Sequence, residues 1–396
     1  MNREERKILG LTTTSHSLVH IYEGVLPPLI PLLVGVFDTD YFHLGIVVTV
    51  FSYAFGLGSL PAGYLSDRVG PRRLITLYLF GAGFLSVCIL PVGSLWTYGI
   101  IMGLIGLFCS TFHPASNTLI SHAIREKGRA FGINGIAGSL GVAIVPALSA
   151  WVGSAIVWKA PHVIFGLLGI GIGFFSMTIP RRSVKKGGIG VSKDSESDLR
   201  KISYLNLVVF FTSAAALGLT YKGIMTFLPA YMGQNVHLSF FKLDAVAIGG
   251  TIATIALLSG ALGQYVAGRM VDRYKPEKLY LGAVVLGTIF VFLMAQRLNI
   301  FLVVSAVLYS FFYFSTQPIQ NFLLTRYLPE YRQGIGFGIH FFLTFGVGST
   351  AAAVCGYLAD HYGLESVFYA MGLCFILSSC LALILLLRAK SAKTGK

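Results

Sequence analysis

The stretches IYEGVLPPLIPLL (residues 21–33) and TYKGIMTFLPAYM (residues 220–232) decide the fold. Both are apolar runs punctuated by proline, and both hold one charged residue at the same place. Tyr22 aligns with Tyr221, Glu23 with Lys222 and Gly24 with Gly223, at an offset of 199 residues. An ionisable side chain inside such a run is expensive, so its presence signals a function and a partner.

Composition says what surrounds these runs. Of 396 residues, 55% are hydrophobic and 12% are charged, about half the charged share usual in a soluble domain. A membrane can cover that much apolar surface; water cannot. The runs are long and do not alternate, which argues against a membrane barrel. Backbone groups in hydrocarbon must pair within their own segment, so the runs are expected to be helices. Twelve spans are predicted, at roughly 10–36, 43–66, 73–92, 95–123, 129–153, 160–180, 204–233, 244–270, 278–296, 299–327, 333–359 and 365–388.

With both termini placed in the cytoplasm, 26 of the 30 Lys and Arg fall in cytoplasmic segments, as the positive-inside rule requires. The net charge of +14 therefore reads as membrane orientation, not as a footprint for nucleic acid. The expected location is the cytoplasmic (inner) membrane, multi-pass. The N-terminus, MNREERKILGLTTTSHS, lacks a small-residue cleavage site after a short apolar core, so no signal peptide is expected. The five cysteines (Cys88, Cys109, Cys355, Cys374 and Cys380) lie in apolar runs without metal-ligand spacing and read as small buried side chains.

Residues 181–201, RRSVKKGGIGVSKDSESDLRK, are polar and rich in Gly and Ser. They divide the chain into an N-terminal six-helix bundle (1–180), a cytoplasmic linker (181–203) and a C-terminal six-helix bundle (204–396). The halves repeat each other in order: GYLSDR (63–68) matches GRMVDR (268–273), HPASN (113–117) matches QPIQN (317–321), and FGIN (131–134) matches FGIH (337–340). Parallel halves of this kind place a binding site between them, near the midplane.

The segment GYLSDRVGPRRL resembles the loop between helices 2 and 3 of the major facilitator superfamily, through Gly63, Leu65, Asp67, Arg68, Gly70, Arg72 and Arg73. Pro71 departs from the basic residue often found there. The second copy, Gly268, Asp272 and Arg273, is degenerate. The resemblance covers the whole chain and implies an all-α membrane protein of twelve transmembrane helices in two pseudo-symmetric bundles. SHSLVH, TFHPASN and GRAFGINGIAGSLG further resemble the fosmidomycin-resistance exporter branch, although Val145 stands before Pro146 where drug antiporters tend to have Gly. The family likeness also implies that helices 1, 4, 7 and 10 line the cavity and that helices 3, 6, 9 and 12 face lipid. Polar residues agree independently. Interiors of spans 3, 6, 9 and 12 carry no ionisable side chain besides thiols and tyrosines.

Candidate substrate and coupling residues are Glu23, His20 and Tyr22 on helix 1, with His16 nearer the cytoplasm. Helix 7 adds Lys222, Tyr221 and Thr226; helix 4 adds His113 and Asn117. Helix 10 adds Gln317, Gln320 and Asn321, and helices 5 and 11 add Asn134 and His340. Side-chain amides here suit an oxygen-bearing solute. Glu23 has two comfortable states, ionised beside Lys222 or protonated and alone. A substrate anion reaching Lys222 would displace the carboxylate and favour proton uptake. A structural ion pair locking helix 1 to helix 7 is the alternative.

Gly63, Asp67, Arg68, Arg72, Asp272 and Arg273 are expected to form a cytoplasmic gate, with Asp67 accepting from a helix N-terminus or pairing with Arg68. A third copy, GYLADHYG (356–363), lies on the outer side and reads as a helix end and turn. The glycines, Gly132, Gly135, Gly138 and Gly141 among them, read as close-packing residues. No glycine loop with its lysine cradles phosphate, and no hydrolase triad or metal cluster is seen. The chain is therefore expected to be no enzyme and to need no cofactor.

The expected function is secondary active transport of a small organic solute, expected to be anionic and proton-coupled, by alternating access, with efflux favoured. The alternative direction is uptake by organic-anion:proton symport; an alternative of another class is a non-transporting membrane sensor. Expected partners are the solute, protons and membrane lipid, with no nucleic acid, and the chain is expected to act as a monomer.

Overall fold

Asn2 starts the first helix. Its side chain accepts from Glu5 N at 2.8 Å, and the Glu5 carboxylate accepts from Asn2 N at 2.8 Å, a reciprocal capping box. The helix therefore begins at Arg3, seven residues before the predicted boundary. The computed structural model describes residues 1–179, 203–237, 244–271, 273–296, 299–328 and 333–394.

Twelve spans follow in chain order. Span 1 is Arg3–Gly24, a short 3-10 turn at Pro27–Leu29, and Ile30–Phe37. Span 2 is Tyr41–Val69, span 3 Pro71–Val87, span 4 Leu95–Cys109 with Phe112–Ala123, span 5 Lys127–Ala155 and span 6 Ala160–Met177. Span 7 is Tyr204–Asn235, span 8 Ala245–Val271, span 9 Pro276–Met294 and span 10 Ile300–Tyr327. Span 11 is Gln333–Phe341 continued by Thr350–Tyr362, and span 12 is Glu365–Thr394. Eleven of these have the length and hydropathy to cross a bilayer. Span 3, with 17 residues of helix, rises about 26 Å and is completed by the turns that follow it.

The breaks have chemical causes. Proline has no N–H and clashes with the preceding turn. Pro27, Pro28 and Pro31 end the α-helix of span 1 just after Glu23 and strip the carbonyls of Glu23, Gly24 and Pro27 of their usual donors. Pro114 does the same to Ser110, where span 4 is interrupted. Span 11 passes through one π turn at Phe342–Gly346 and a 3-10 turn at Val347–Ser349. Between spans 2 and 3, Gly70 takes φ +93, a conformation that favours glycine. Pro71 follows at the first helical position, where a missing N–H costs nothing; that accounts for the departure at Pro71.

Each bundle is tied internally by buried hydroxyls. Tyr22 OH donates to Phe165 O at 3.0 Å and Tyr78 OH to Ser15 O at 3.1 Å. In the second bundle, Ser213 joins Tyr280 OH and Ser378 Oγ, each at 2.6 Å. Large side chains of spans 3, 6, 9 and 12 point outward, including Phe84, Phe174, Ile289 and Leu373, as expected for lipid-facing helices.

The bundles meet along two seams, span 2 against span 11 and span 5 against span 8. At the end away from the termini both seams are closed. Asp360 accepts from Tyr41 N at 3.0 Å and Phe42 N at 2.8 Å, and Trp151 Nε1 donates to Thr251 Oγ1 at 2.9 Å. Gly45 faces the Ala352 backbone and Gly250 faces Pro146 and Ala150. Toward the termini the span 5/span 8 seam opens. Gly132 and Gly135 lie on the face of span 5 that carries Ser139, and Gly268 lies one turn beyond Gln264. None of the three has an atom within 4 Å of where a Cβ would stand. Among the described residues, this seam of the cleft thus opens at the end that carries the termini. Gly138 and Gly141 do pack closely, on His16 and on the Ser17 backbone; Gly132 and Gly135 do not, which corrects the expectation for that pair.

Candidate functional site

Glu23 stands at the last turn of the first helix of span 1, where the proline run has left carbonyls without donors. A cation is favoured at such a C-terminus. Lys222 supplies it from span 7, its Nζ lying 2.5 Å from Glu23 Oε1. The side chains are 11% and 6% exposed, respectively. A pair so shielded from water is held by mutual neutralisation, since either charge alone would be costly. The other carboxylate oxygen, Oε2, lies 3.1 Å from His20 Nδ1.

Span 7 fixes the lysine from several sides. Thr226 Oγ1 donates to Lys222 O at 2.6 Å. Lys222 Nζ lies 5.8 Å from the Tyr221 ring centroid, within cation–π range. Tyr221 stacks on Tyr313 at 5.7 Å, and Gly218 lets the span 11 backbone approach at Thr344. The pair itself, with His20 and Tyr221, lines a cavity of about 50 Å³ that reaches Val145, Pro146 and Pro229. That is room for a few waters.

On the open side of Glu23 the histidines gather. His16, His20 and His113 each offer a ring nitrogen within 4.8 Å of the others. The ring centroids are 5.1 Å (His16–His20), 5.1 Å (His16–His113) and 5.5 Å (His20–His113) apart. His16 Nδ1 lies 2.7 Å from Asn134 O, which brings span 5 into the cluster. The sequence reading saw no metal cluster, because the set pairs two positions one helical turn apart with a third on another helix.

Asn117 is exposed, and Asn321 is half-buried. Gln317 Oε1 accepts from Gln264 Nε2 at 2.5 Å, and Gln264 Oε1 accepts from Ser139 Oγ at 3.1 Å. This chain of amides bridges the bundles, and sequence reasoning missed both Gln264 and Ser139. Three candidates are turned elsewhere. Tyr22 is 1% exposed and spends its hydroxyl on span 6. Gln320 donates to Tyr280 OH at 3.0 Å inside the second bundle. His340 is buried and stacks on Phe210 at 5.7 Å. These three pack their own bundles rather than line the cleft. Asn134 contributes its backbone carbonyl to His16, while its buried side-chain oxygen has no partner.

Of the gate candidates, Arg72 donates from Nε to Ser176 O at 3.1 Å, holding span 3 to span 6 within one bundle. Arg68 and Arg273 are exposed. Asp272 lies outside the described residues, as do the side chain of Asp67 and the surroundings of Gly63. Among the described residues, a carboxylate that caps a helix across the seam is Asp360 of GYLADHYG, at the opposite end. Gly363, with φ +83, does end the helix there, as expected; its role in the seam was not anticipated.

Twelve helical spans in two bundles, with a charge pair where the halves meet, define a multi-pass membrane protein. The model of the Major Facilitator Superfamily matches residues 12–350 and 245–396, and the chain belongs to that family of multi-pass membrane proteins. It is similar to the probable L-galactonate transporter of Escherichia coli (strain K12), 25% identical over 248 residues, 58% of this chain and 53% of the relative. The chain spans about half the length of that relative and of others like it. The glycerol-3-phosphate transporter of Bacillus subtilis (strain 168) is 23% identical over 383 residues, 89% of this chain and 85% of the relative. A bacterial homolog to the human lysosomal transporter Spinster, solved in an inward-facing and unoccupied conformation, has the same fold, with a TM-score of 0.82 at 12% identity over 97% of each chain.

Proposed function

We propose that the protein is a secondary active transporter of a small organic anion, coupled to protons through Glu23 and working by alternating access between the 1–180 and 204–396 bundles. The observation that carries this reading is the Lys222–Glu23 contact at 2.5 Å, which joins the two bundles beside the cleft. A carboxylate or phosphate entering from the open end competes with Glu23 for Lys222. The displaced carboxylate, now without its cation in a water-poor site, takes up a proton. Anion and proton are then bound together, and the loaded site has shed the charge pair that tied span 1 to span 7. This sequence is symport. The relatives named above for L-galactonate and glycerol-3-phosphate transport support an anionic solute. Placing the termini in the cytoplasm of an inner-membrane protein makes the observed cleft inward-open and the Arg68/Arg273 end the cytoplasmic gate.

A second reading, export by proton exchange, follows the exporter-like segments SHSLVH and TFHPASN. It requires proton and solute to exclude each other at Glu23. Thermal-shift screening of purified protein against organic acids at two pH values separates the readings. Under symport, hits strengthen at the lower pH and vanish in Lys222→Gln. Under exchange, hits weaken at the lower pH. Hits unchanged in Lys222→Gln would remove the anion site from Lys222.

A further inference from the structure

We propose that His16, His20 and His113 form a binding site for a borderline divalent cation of the zinc class, with its fourth position open to the cleft. The first support is convergence. Two helices of one bundle bring three imidazoles together so that a nitrogen of each lies within 4.8 Å of the others. Tetrahedral zinc with nitrogen at roughly 2.0–2.1 Å needs ligand atoms about 3.3 Å apart. Ring rotations that move each nitrogen by about 1 Å close that gap. His16 and His20 lie one turn apart on span 1, so their separation is set by helix geometry.

The second support is the outer hydrogen bonding. Metal-binding histidines give their remaining ring N–H to a carboxylate or a backbone carbonyl, which fixes the tautomer. Both arrangements are present. His16 Nδ1 lies 2.7 Å from the Asn134 carbonyl, and His20 Nδ1 lies 3.1 Å from the Glu23 carboxylate. Both acceptors only accept, so Nδ1 is the donor in each ring and Nε2 is the atom left to bind a metal. The His16 ring lies with Nε2 against Gly138 of span 5, and the rotation that forms the site turns it from there toward His20 and His113.

The Glu23–Lys222 pair is neutral as a whole, so a dication here takes balancing charge from an anion such as hydroxide in the open fourth position. Lys222 is the nearby cation, but Glu23 stands between it and His20, binding Lys222 through Oε1 and His20 through Oε2. The low charge density of imidazole selects zinc, cobalt or nickel over magnesium or calcium, which prefer oxygen ligands. Phe112 and Phe55 flank the cluster, at 5.3 Å from His16 and 5.8 Å from His113, and leave no carboxylate of their own to favour a harder ion.

The site is tested on tag-free full-length protein, without any transport assay. Isothermal titration with Zn²⁺ should show one equivalent per chain. His20→Gln and His113→Gln should each weaken it by tenfold or more. Glu23→Gln, which removes an outer hydrogen bond, should weaken it by about 10–100-fold, and His361→Gln should leave it unchanged. X-ray absorption at the zinc edge of the wild-type protein gives a readout that needs no variant, and three imidazole nitrogens should be found. Absence of saturable binding, or fewer than two imidazoles in the wild type, would overturn the site, as would binding indifferent to His20→Gln and His113→Gln. None of these outcomes depends on whether the solute is an anion or whether protons are coupled.

Discussion

With Lys222 removed, Glu23, with 11% of its side chain exposed, must either keep its charge without a cation or bind a proton, and His20 is its remaining partner. Breaking a buried pair from one side costs about 3–5 kcal/mol. Lys222→Met should therefore lower the unfolding temperature in detergent clearly, and adding Glu23→Gln should restore most of the loss. A double variant as unstable as the single one would show that Lys222 acts through packing, not charge. This pair was legible in the sequence because the half-repeat aligned one charge with the other at equal depth. The histidine cluster was not, since its closure depends on how span 4 is broken and docked against span 1. Tyr22, Gln320 and His340 were misplaced for a related reason. Near the midplane, polar side chains either face the cleft or tie a bundle together, and the residue type is the same for both tasks. Tyr22 lies one residue from Glu23, about 100° around the helix, which is enough to turn it toward span 6.

At the scale of elements, prolines and caps explain most of what the apolar pattern could not. The proline run of span 1 and Pro114 of span 4 were visible, and they mark the breaks next to Glu23 and His113. The capping box at Asn2 and Glu5 was also present in the sequence, and it lengthens span 1 beyond its apolar core. What the sequence could not show is a cap supplied by another bundle. Asp360 satisfies the first two N–H groups of span 2, and losing a cap of this kind costs about 1 kcal/mol. Asp360→Asn should loosen the closed end. Gly250→Val should force it apart more strongly, because its side chain would meet Pro146 and Ala150 of the facing bundle. Gly135→Val, in open space, should leave that end as it is. Spin-label distances between spans 2 and 11 check all three: lengthening in the first two variants and none in the third. A Gly250→Val distance equal to wild type would mean that the seam does not seal the cleft.

For the whole molecule, two six-span bundles meet at two seams closed at one end, and among the described residues the span 5/span 8 seam is open at the other. The apolar composition and the internal repeat made that architecture readable before any coordinates, because spans of fixed length leave few ways to pack. Which end would be closed was not readable, as both ends of each seam carry glycines able to pack. In the proposed cycle, motion between the bundles breaks and remakes the Glu23–Lys222 contact. A solute anion that releases it should shift the spin-label distances in wild type, and should fail to do so in Lys222→Gln.

The most direct measurement places purified protein in liposomes and follows accumulation of an anion that stabilises it, driven only by a proton gradient. Wild type should concentrate the anion and take up protons with it, whereas Glu23→Gln should exchange labelled for unlabelled anion without concentrating either. Concentration by Glu23→Gln equal to that of wild type would contradict coupling through this carboxylate.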